Sequence, residues 1–194
     1  MAHSSGTRIG AIAEGLMQGE PMGRVERETA AVAVIIRSAP TGEEVLLIRR
    51  AVREGDPWSG DAAFPGGRVE AQDGSFRDAA VREALEEVGV DLAATARFLG
   101  CMHQFQAKRM GIWVVPVVFL LTGPVAIRAN SEVSSYFWVP FPELLAPENR
   151  SIFRLARGDE VMTFPSLELR GYVVWGLTER ILSSLAGLAD GGTG

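Results

Sequence analysis

The sequence has only one cysteine in 194 residues, Cys101. A single cysteine excludes an intramolecular disulfide and a cysteine-based zinc cluster. No apolar run reaches the roughly eighteen residues of a membrane-spanning helix, and the most apolar stretch, IWVVPVVFLL, contains a proline and is typical of a buried strand. The N-terminus also lacks the basic region and apolar block of a secretory signal. These absences predict a cytoplasmic protein with no membrane partner.

The chain also lacks an excess of positive charge. It has 19 Lys and Arg against 24 Asp and Glu, which gives a formal net charge of −5 and a pI near 5.2. A domain that binds duplex nucleic acid usually presents a basic face, whereas the arginines here are scattered. We therefore expect no duplex nucleic acid partner, but a small anionic substrate held through a metal ion is compatible with this charge.

The length and composition indicate one globular domain with an extension. The residues are 47% hydrophobic and 22% charged, as expected for a chain with a sizeable core. Apolar residues at helical spacing predict a short helix in an N-terminal extension over residues 1–28. We predict a single domain over residues 29–189 and a flexible tail over residues 190–194.

Hydrophobic patterns predict strands that come mostly in hairpins, together with two main helices. Strands are expected over residues 30–37, 44–50, 98–105, 112–121 and 136–141, and a late hairpin in VMTFP and LRGYVVW. The main helices are expected over residues 76–88, between Ser75 as N-cap and Gly89 as C-cap, and over residues 176–188; PELLA predicts a short helix. This order predicts a mixed α/β (α+β) fold with helices packed on a sheet.

The first main helix concentrates negative charge. At about 100° per residue, Glu83, Glu86 and Glu87 share one arc of roughly a quarter turn. The predicted buried face is formed by Ala80, Val81, Ala84, Leu85 and Val88. The like-charge pair Glu83/Glu87 and the acids near the helix C-terminus are each mildly unfavourable. From geometry alone, a solvated acidic surface and a site for Mg²⁺, which prefers oxygen ligands, are equal alternatives.

The order of these residues resembles a known motif. GGRVEAQDGSFRDAAVREALEEVGV is similar to the Nudix box, in which a glycine and an acid precede Arg-Glu-apolar-x-Glu-Glu-x-Gly-apolar at fixed spacing. The matching positions are Gly67, Arg82, Glu83, Ala84, Glu86, Glu87, Gly89 and Val90. Two departures concern Asp73, which stands in place of the first glutamate and is separated from Arg82 by eight residues rather than seven.

The Nudix resemblance implies an α/β/α sandwich around a mixed sheet. It also implies Mg²⁺- or Mn²⁺-dependent hydrolysis of a nucleoside diphosphate linked to another moiety. On this resemblance, Glu83 and Glu87 are direct metal ligands, and Glu86 binds metal or positions water. The carbonyl of Gly66 is the implied backbone ligand.

The resemblance also implies roles for residues around the metal. Arg82 would orient the acids through a salt bridge to Asp73, which is then a structural residue. A carboxylate that takes a proton from water must reach that water, and Glu86 or Glu87 could do so from the helix. Glu132 is another candidate, because some family members carry a functional acid on the loop before this strand. An ordinary exposed loop acid is an equal alternative for Glu132.

A narrower resemblance concerns the substrate. LLIRRAVREGDPWSGDAAFPGG resembles the LLT.RS…G…FPGG signature of the coenzyme A pyrophosphatase branch, with Ile48 and Ala51 as departures. The resemblance implies hydrolysis of coenzyme A or its derivatives to 3′,5′-ADP and 4′-phosphopantetheine. Arg50, Phe64 and Gly67 are the implied substrate-binding residues.

Three alternatives to coenzyme A hydrolysis remain open at this point. The same reaction could act on ADP-ribose, nucleotide sugars or (d)NTPs. A non-catalytic Nudix-like binding module is disfavoured because such a module is expected to lose glutamates of the box. A structural acidic domain would bind no metal.

A homodimer is expected from family analogy only, and the N-terminal extension is the candidate contact. His103 and Lys108 mark a candidate substrate loop. For His103 itself, a packing role is the better explanation.

Overall fold

The computed structural model describes residues 8–19, 29–52, 59–107, 111–158 and 160–191. The helices are α1 (Arg8–Gly15), α2 (Phe76–Val88), α3 (Leu92–Thr95), α4 (Phe141–Leu145) and α5 (Gly176–Ala189), with a 3₁₀ turn at Pro147–Asn149. The strands are β1 (Thr29–Ala39), β2 (Gly42–Arg50), β3 (Ala62–Ala63), β4 (Gly66–Arg68), β5 (Ala96–Cys101), β6 (Phe105–Ala107), β7 (Ile112–Leu121), β8 (Val133–Pro140), β9 (Arg150–Arg157), β10 (Glu160–Leu169) and β11 (Tyr172–Trp175). Within the described ranges, no helix has both the length and the hydrophobicity that crossing a bilayer requires.

The larger sheet is mixed and has eight strands. Its central strand β1 pairs in parallel with β7 and antiparallel with β2 and β4. Strand β2 also pairs with β3 and β8, and β7 pairs with β5 and β6. Successive side chains of a strand point to opposite faces of its sheet. Ala33 and Ile35 of β1 accordingly pack with α2, whereas Val34 and Ile36 pack with α1, α4 and α5. The predicted sandwich of helices around a mixed sheet is therefore confirmed.

The ends of α2 are defined by the two capping residues that the sequence predicts. The Ser75 hydroxyl accepts a hydrogen bond of 3.0 Å from the backbone N–H of Asp78. Gly89 adopts a left-handed conformation with φ of 68°, and its N–H bonds to the carbonyls of the last turn. Glycine adopts this conformation without the steric cost that a side chain would add. Both caps are confirmed.

Helix α1 is integrated into the core rather than standing apart from it. It packs against α5, and Ile12 is fully buried in the same apolar cluster as Leu182 and Leu185. The segment after α1 is tied to β5 by backbone hydrogen bonds of 2.9 Å in both directions between Met17 and Cys101. Much of the apolar face of α1 is therefore already buried within its own chain. This observation weakens the N-terminal segment as a contact for a second copy.

A separate three-stranded sheet follows α4. The sequence predicts a two-stranded hairpin here, and β10 and β11 form one. The structure adds β9, which pairs antiparallel with β10 along its whole length. The prediction omitted β9 because its arginines, Arg150, Arg154 and Arg157, break the apolar pattern. The hairpin prediction was therefore incomplete.

The single strand predicted over residues 98–105 is also wrong, because the structure divides it into β5 and β6. Both strands pair with β7, on either side of Pro116. Proline has no N–H to donate to a neighbouring strand, and its carbonyl accepts instead from the N–H of Met102 in the connection between β5 and β6. The break between β5 and β6 therefore lies opposite Pro116, the one residue of β7 that has no N–H to donate.

Candidate active site

Helix α2 turns Glu87, rather than Leu85, toward the sheet. Glu87 is 5% exposed, whereas Leu85 is 52% exposed. The prediction that Leu85 belongs to the buried face is therefore wrong. The carboxylate of Glu87 accepts a hydrogen bond of 2.9 Å from the backbone N–H of Gly66 at the start of β4. A buried carboxylate is tolerated only with such partners, and this contact brings helix and strand together at the acids.

Two glycines allow this close approach. A Cβ atom on Gly66 would lie 2.5 Å from the carbonyl oxygen of Ala31 and 2.7 Å from the Cα of Val32, both in the backbone of β1. A Cβ atom on Gly67 would overlap the carboxylate of Glu83 instead, 2.6 Å from its Cδ. Gly66 therefore lets β4 pack on β1, and Gly67 leaves the space that the Glu83 carboxylate occupies.

The backbone of Gly66 faces the acids. Its neighbour Pro65 accepts a hydrogen bond of 2.8 Å from the N–H of Ala33 in β1. Along an antiparallel ladder, residues that hydrogen-bond to the partner strand alternate with residues that do not. Pro65 bonds to β1, so the N–H and the C=O of the next residue, Gly66, both point away from β1. The N–H already bonds to Glu87. The carbonyl, which the sequence resemblance implies as a metal ligand, lies on the same side of β4.

Arg82 organises the remaining acids. Its Nε and Nη2 atoms donate to Asp73 at 3.1 and 2.9 Å, and Nη2 also donates to the carbonyl of Arg68 at 3.0 Å. Its Nη1 atom donates to Glu83 at 2.9 Å and to Glu86 at 3.2 Å. The forked contact with Asp73 is the geometry in which Arg and a carboxylate interact most strongly. The extra residue between Asp73 and Arg82 does not prevent this pairing.

The electrostatic environment differs among the acids. Burial raises the pKa of Glu87 to about 7, and Glu83 and Glu132 add to this rise, while Gly66 N–H and Arg50 oppose it. Burial also raises the pKa of Glu83, despite its contact with Arg82. The pKa of Asp73 is lowered, chiefly by its hydrogen bonds from Arg82. The charged forms of buried Glu87 and partly buried Glu83 are thus disfavoured in the metal-free protein.

The arrangement of oxygen atoms fits a hard divalent cation. In the part of the chain that the structure describes, no three His, Cys, Asp or Glu side chains converge on one point, and Arg82 Nη1 contacts both Glu83 and Glu86. The available donors are nevertheless all oxygens, from Glu83, Glu87 and the Gly66 carbonyl, with Glu86 beside them. Mg²⁺ and Mn²⁺ prefer such donors. A bound cation would also stabilise the charged form of carboxylates whose pKa burial raises.

Glu132 and Arg50 lie on the sheet side of this acidic cluster. The N–H of Ala51 donates to the carbonyl of Glu132 at 2.7 Å, which holds the loop before β8 against the end of β2. Both residues act electrostatically on Glu87, since Arg50 lowers the pKa of Glu87 and Glu132 raises it. Glu132 is exposed. The structure therefore brings Glu132 near the α2 glutamates, although some 45 residues separate them in the sequence.

A cavity of about 720 Å³ adjoins Gly66 and Gly67. Arg50, Phe64 and Gly67, the three implied substrate-binding residues, all line it. Its opposite side comes from the end of the three-stranded sheet and the first turns of α5. The residues that line this side are Phe164, Trp175, Gly176, Leu177, Thr178, Arg180 and Ile181. The sequence predicted no site role for these residues.

The candidate substrate loop marked by His103 and Lys108 reaches the cavity through Gln106 and Ala107. His103 packs beside Phe105, with ring centroids 4.4 Å apart, which agrees with the packing interpretation. Lys108 lies outside the described residues, as do residues 1–7 and 20–28 of the extension and residues 192–194 of the tail.

We expect Arg82→Gln to lower the free energy of unfolding of the metal-free protein by about 2–4 kcal/mol at pH 7, because Asp73 would lose its partner at a buried position. The side chain of Asp73 is only 4% exposed. The pKa of Asp73 is lowered on folding, so its stabilising contribution is present above the unfolded value of 3.8 and is lost as pH falls below it. Urea unfolding at pH 7 and pH 3 should therefore show a smaller difference at pH 3.

Arg97→Gln is the matched control, since Arg97 is exposed on β5 and such changes usually cost less than about 0.5 kcal/mol. Equal stability of the Arg82 and Arg97 variants at pH 7 would contradict the assignment of Arg82 as the organising cation.

Comparison with known proteins identifies the family to which this chain is similar. A family model described as NUDIX domain matches residues 27–156. The peroxisomal coenzyme A diphosphatase ndx-8 of Caenorhabditis elegans is 36% identical over 124 residues, which are 62% of this chain and 53% of that protein. The chain thus spans about half the length of that relative. The uncharacterised Nudix hydrolase NudL of Citrobacter koseri is 33% identical over 174 residues, 88% of this chain and 85% of that protein.

Solved structures agree on the fold. A MutT/nudix family protein from Enterococcus faecalis superimposes with a TM-score of 0.51 and 21% identity, over 89% of this chain and 66% of that one. A binary complex of the C. elegans Ap4A hydrolase gives a TM-score of 0.50 and 21% identity, over 58% of this chain and 80% of that one. At this level of identity the likeness concerns the fold alone.

Proposed function

Because the chain belongs to the Nudix hydrolases, enzymes that act on nucleoside diphosphate-linked substrates, we propose that it hydrolyses coenzyme A or its derivatives to 3′,5′-ADP and 4′-phosphopantetheine, with Mg²⁺ or Mn²⁺. One observation carries the choice of substrate. The residues of the coenzyme A signature, Arg50, Phe64 and Gly67, line a single cavity. Gly66 and Gly67, which also line it, lie against the carboxylates of Glu87 and Glu83. The name of the C. elegans relative, a coenzyme A diphosphatase, supports the same choice.

The residues proposed to hold the metal are Glu83, Glu87 and the carbonyl of Gly66, with Glu86 as a further ligand or as the group that positions water. A divalent cation at this point would neutralise diphosphate oxygens and make water more acidic. Arg82 keeps Glu83 and Glu86 on one side of the helix. These residues therefore define the position at which the diphosphate is cleaved.

The proton from the attacking water requires an acceptor that reaches the water. Glu87 is buried and bonded to Gly66, which suits a ligand better than a mobile proton acceptor. Glu86 and Glu132 are exposed. We assign the acceptor role to one of these two carboxylates, and the positively charged Arg50 to the diphosphate oxygens, which its planar fork can bind in pairs.

The same site geometry is compatible with ADP-ribose, nucleotide sugars or (d)NTPs. These substrates share the nucleoside diphosphate and differ in the attached moiety, so the acidic cluster alone does not discriminate between them. A non-catalytic module is disfavoured, because the three glutamates of the box are all present.

The test is a substrate panel of coenzyme A, ADP-ribose, a nucleotide sugar and dATP, each with Mg²⁺ or Mn²⁺, followed by phosphate-resolved product analysis. We expect the highest kcat/KM on coenzyme A, formation of 3′,5′-ADP and 4′-phosphopantetheine, and no turnover after chelation. A parallel preparation of Glu87→Gln excludes a contaminating hydrolase. Preferential cleavage of ADP-ribose would replace the coenzyme A proposal, and cleavage of none of the four would favour a binding module.

The cytoplasm remains the proposed location, and a homodimer a proposed state by family analogy. The C. elegans relative is named as peroxisomal, so fluorescence microscopy of the tagged protein, beside a peroxisomal marker, tests the location. Light scattering of the purified chain tests the dimer, and a monomer mass at all concentrations would contradict it.

A further inference from the structure

A side-chain hydrogen bond joins the two sheets where both of them border the cavity. The indole N–H of Trp175, at the end of β11, donates to the carboxylate of Asp61 at 3.1 Å. Asp61 directly precedes β3, and β11 packs against β3. Both residues are partly buried and line the cavity. They are 114 positions apart in the sequence, so this hydrogen bond ties distant parts of the chain together at the site.

The backbone of Asp61 is bonded directly to the backbone of Arg50. The N–H of Arg50 donates to the carbonyl of Asp61 at 3.0 Å, and the N–H of Gly60 donates to the carbonyl of Arg50 at 3.2 Å. Beside this pair, the Nε atom of Arg49 donates to the carbonyl of Gly60 at 3.1 Å. A contact that holds Asp61 therefore also holds the backbone of Arg50, the residue assigned to the diphosphate oxygens.

The charge of Asp61 does not suit contact with the substrate. Asp61 lines the same cavity as Arg50 and Arg68, and a carboxylate there repels an anionic diphosphate. The same charge does suit an acceptor for Trp175, because a hydrogen bond to an ionised acceptor is stronger than one between neutral groups. The chemistry of this side chain therefore favours a contact within the protein over a contact with the substrate.

Trp175 is a well-oriented donor for this contact. Its ring stacks on Phe153 of β9 with centroids 4.5 Å apart, and Phe164 of β10 packs beside it at 5.3 Å. A side chain whose orientation is fixed by packing positions its partner more precisely than a mobile one does. The three-stranded sheet thus supports the end of β2 from across the cavity.

The acidic cluster has its own support, which does not involve Asp61. The carbonyl of Pro65 accepts from the N–H of Ala33 in β1, and the N–H of Gly66 donates to the carboxylate of Glu87. These bonds hold β4 between β1 and α2. Loss of the contact between Asp61 and Trp175 is therefore expected to act on Arg50 and to leave the proposed metal ligands in place.

From these contacts we propose that Asp61 and Trp175 are positioning residues for substrate binding, and that they act through the backbone of Arg50. This inference rests on the proposed diphosphate hydrolysis and on the assignment of Arg50 to the diphosphate. It adds to them the pair of residues that holds Arg50 in place, and it makes the three-stranded sheet a part of the substrate site.

The test is a double-mutant cycle of Trp175→Phe and Asp61→Ala on the diphosphate that the protein cleaves best. Trp175→Phe keeps an aromatic ring beside Phe153 and Phe164 but removes the indole N–H. In each single variant we expect KM to rise about tenfold, because a hydrogen bond to a charged group can change an equilibrium constant by that factor. We expect kcat to stay within about twofold. The double variant should show the same tenfold rise, because both substitutions remove one shared interaction.

Asp61→Asn tests whether the hydrogen bond or the charge matters. Its amide oxygen can still accept from the indole N–H, so we expect KM to return to within about threefold of the wild-type value. Three results would overturn the proposal. These are a loss in Asp61→Asn equal to that in Asp61→Ala, a fall of KM in Asp61→Ala, and multiplied effects in the double variant, which would indicate direct contact of Trp175 with the substrate.

Tyr172→Leu is the matched control on the same strand. Tyr172 stacks on Phe137 of β8 with ring centroids 4.5 Å apart, and the guanidinium of Arg49 lies 5.7 Å from its ring centroid. Its replacement weakens the attachment of β11 to the larger sheet but keeps the hydrogen bond to Asp61. The Tm should fall while KM stays within about twofold. A tenfold rise of KM in this variant would show that any loosening of the small sheet is sufficient, and would contradict a specific role for Asp61.

A second measurement is independent of hydrolysis. Calorimetric titration with α,β-methylene-ADP and Mg²⁺ measures binding of a diphosphate analogue that resists cleavage. Its Kd should rise about tenfold in Trp175→Phe and in Asp61→Ala. If coenzyme A is not cleaved but this Kd rises, the proposed substrate fails and the positioning role stands. If coenzyme A is cleaved but neither KM nor this Kd changes, the positioning role fails and the proposed function stands.

Discussion

Glu87→Gln is expected to lower kcat/KM by about a thousandfold or more on any diphosphate that the wild-type protein cleaves. The substitution removes the charge of a proposed metal ligand, and loss of several kcal/mol of transition-state stabilisation corresponds to this change in rate. The amide oxygen of glutamine can still accept the hydrogen bond from Gly66 N–H. The fold should therefore be retained, and steady-state kinetics at saturating Mg²⁺ measures the loss.

The same substitution is expected to stabilise the metal-free protein at pH 8. Burial raises the pKa of Glu87 from 4.5 to about 7, so the folded state holds an extra proton between these values. Wild-type stability therefore decreases as pH rises from about 4.5 to about 7 and is constant above that range, with a total loss on the order of 3 kcal/mol. A neutral glutamine has no such cost. Denaturant unfolding with a chelator should show Glu87→Gln as the more stable protein at pH 8, with the difference disappearing near pH 4.

Two comparisons make the Glu87 result specific. Mg²⁺ should raise the Tm of the wild-type protein at pH 8 more than that of the variant, because a ligand stabilises only the state that binds it. Glu132→Gln should retain metal-dependent stabilisation, whereas Glu86→Gln should lose part of it if Glu86 is a further ligand. The variant that removes the proton acceptor should lower kcat by about 10²–10⁴-fold. Wild-type rates in Glu87→Gln would refute the ligand assignment.

Gly67→Ala is expected to lower the activity while leaving the stability of the fold nearly unchanged. The new Cβ would displace the carboxylate of Glu83, which is the mobile end of a side chain, and not a backbone atom. The Tm should therefore stay within a few degrees of the wild-type value. Activity should fall by about a hundredfold, because displacement of a catalytic group by about 1 Å is sufficient for such a loss.

Gly66→Ala, in contrast, should lower the stability of the fold as well as the activity. Its Cβ would meet the backbone of β1 at Ala31 and Val32, and crowding of a packed interior costs about 1–3 kcal/mol or more. We expect a clear loss of stability as well as activity. Gly123→Ala is the control, because a Cβ there has no atom within 4 Å. A Gly67 variant with normal activity, or a Gly66 variant with normal stability, would contradict the close packing of β4.

The sequence allowed the local features of this site to be predicted, since they depend on short spacings. The caps of α2 and the neighbouring positions of Glu83, Glu86 and Glu87 follow from residue types and helical period. The pairing of Arg82 with Asp73, implied by the resemblance, is also present in the structure. These features need only contacts within about twenty residues.

Other features depend on contacts between distant segments. Hydrophobicity alone assigned Leu85 to the core, but the N–H of Gly66 provides a partner that favours burial of Glu87 instead. The cavity wall around Trp175 could not be predicted, because its aromatic residues have the pattern of ordinary core residues. Only the pairing of β10 with β11 brings Phe164 and Trp175 to the same cavity.

The packing of α1 on α5 has a consequence for folding. Gly15 lies against Leu188, so that the first and last described helices meet. The same α5 supplies Leu177 to the lining of the cavity. Contacts between segments so distant in the chain form late, because loop closure must precede them. During synthesis, the strands of the larger sheet can pair before α5 is available, and the side of the cavity that α5 lines then remains open to solvent. We therefore expect completion of the cavity to be among the last events of folding.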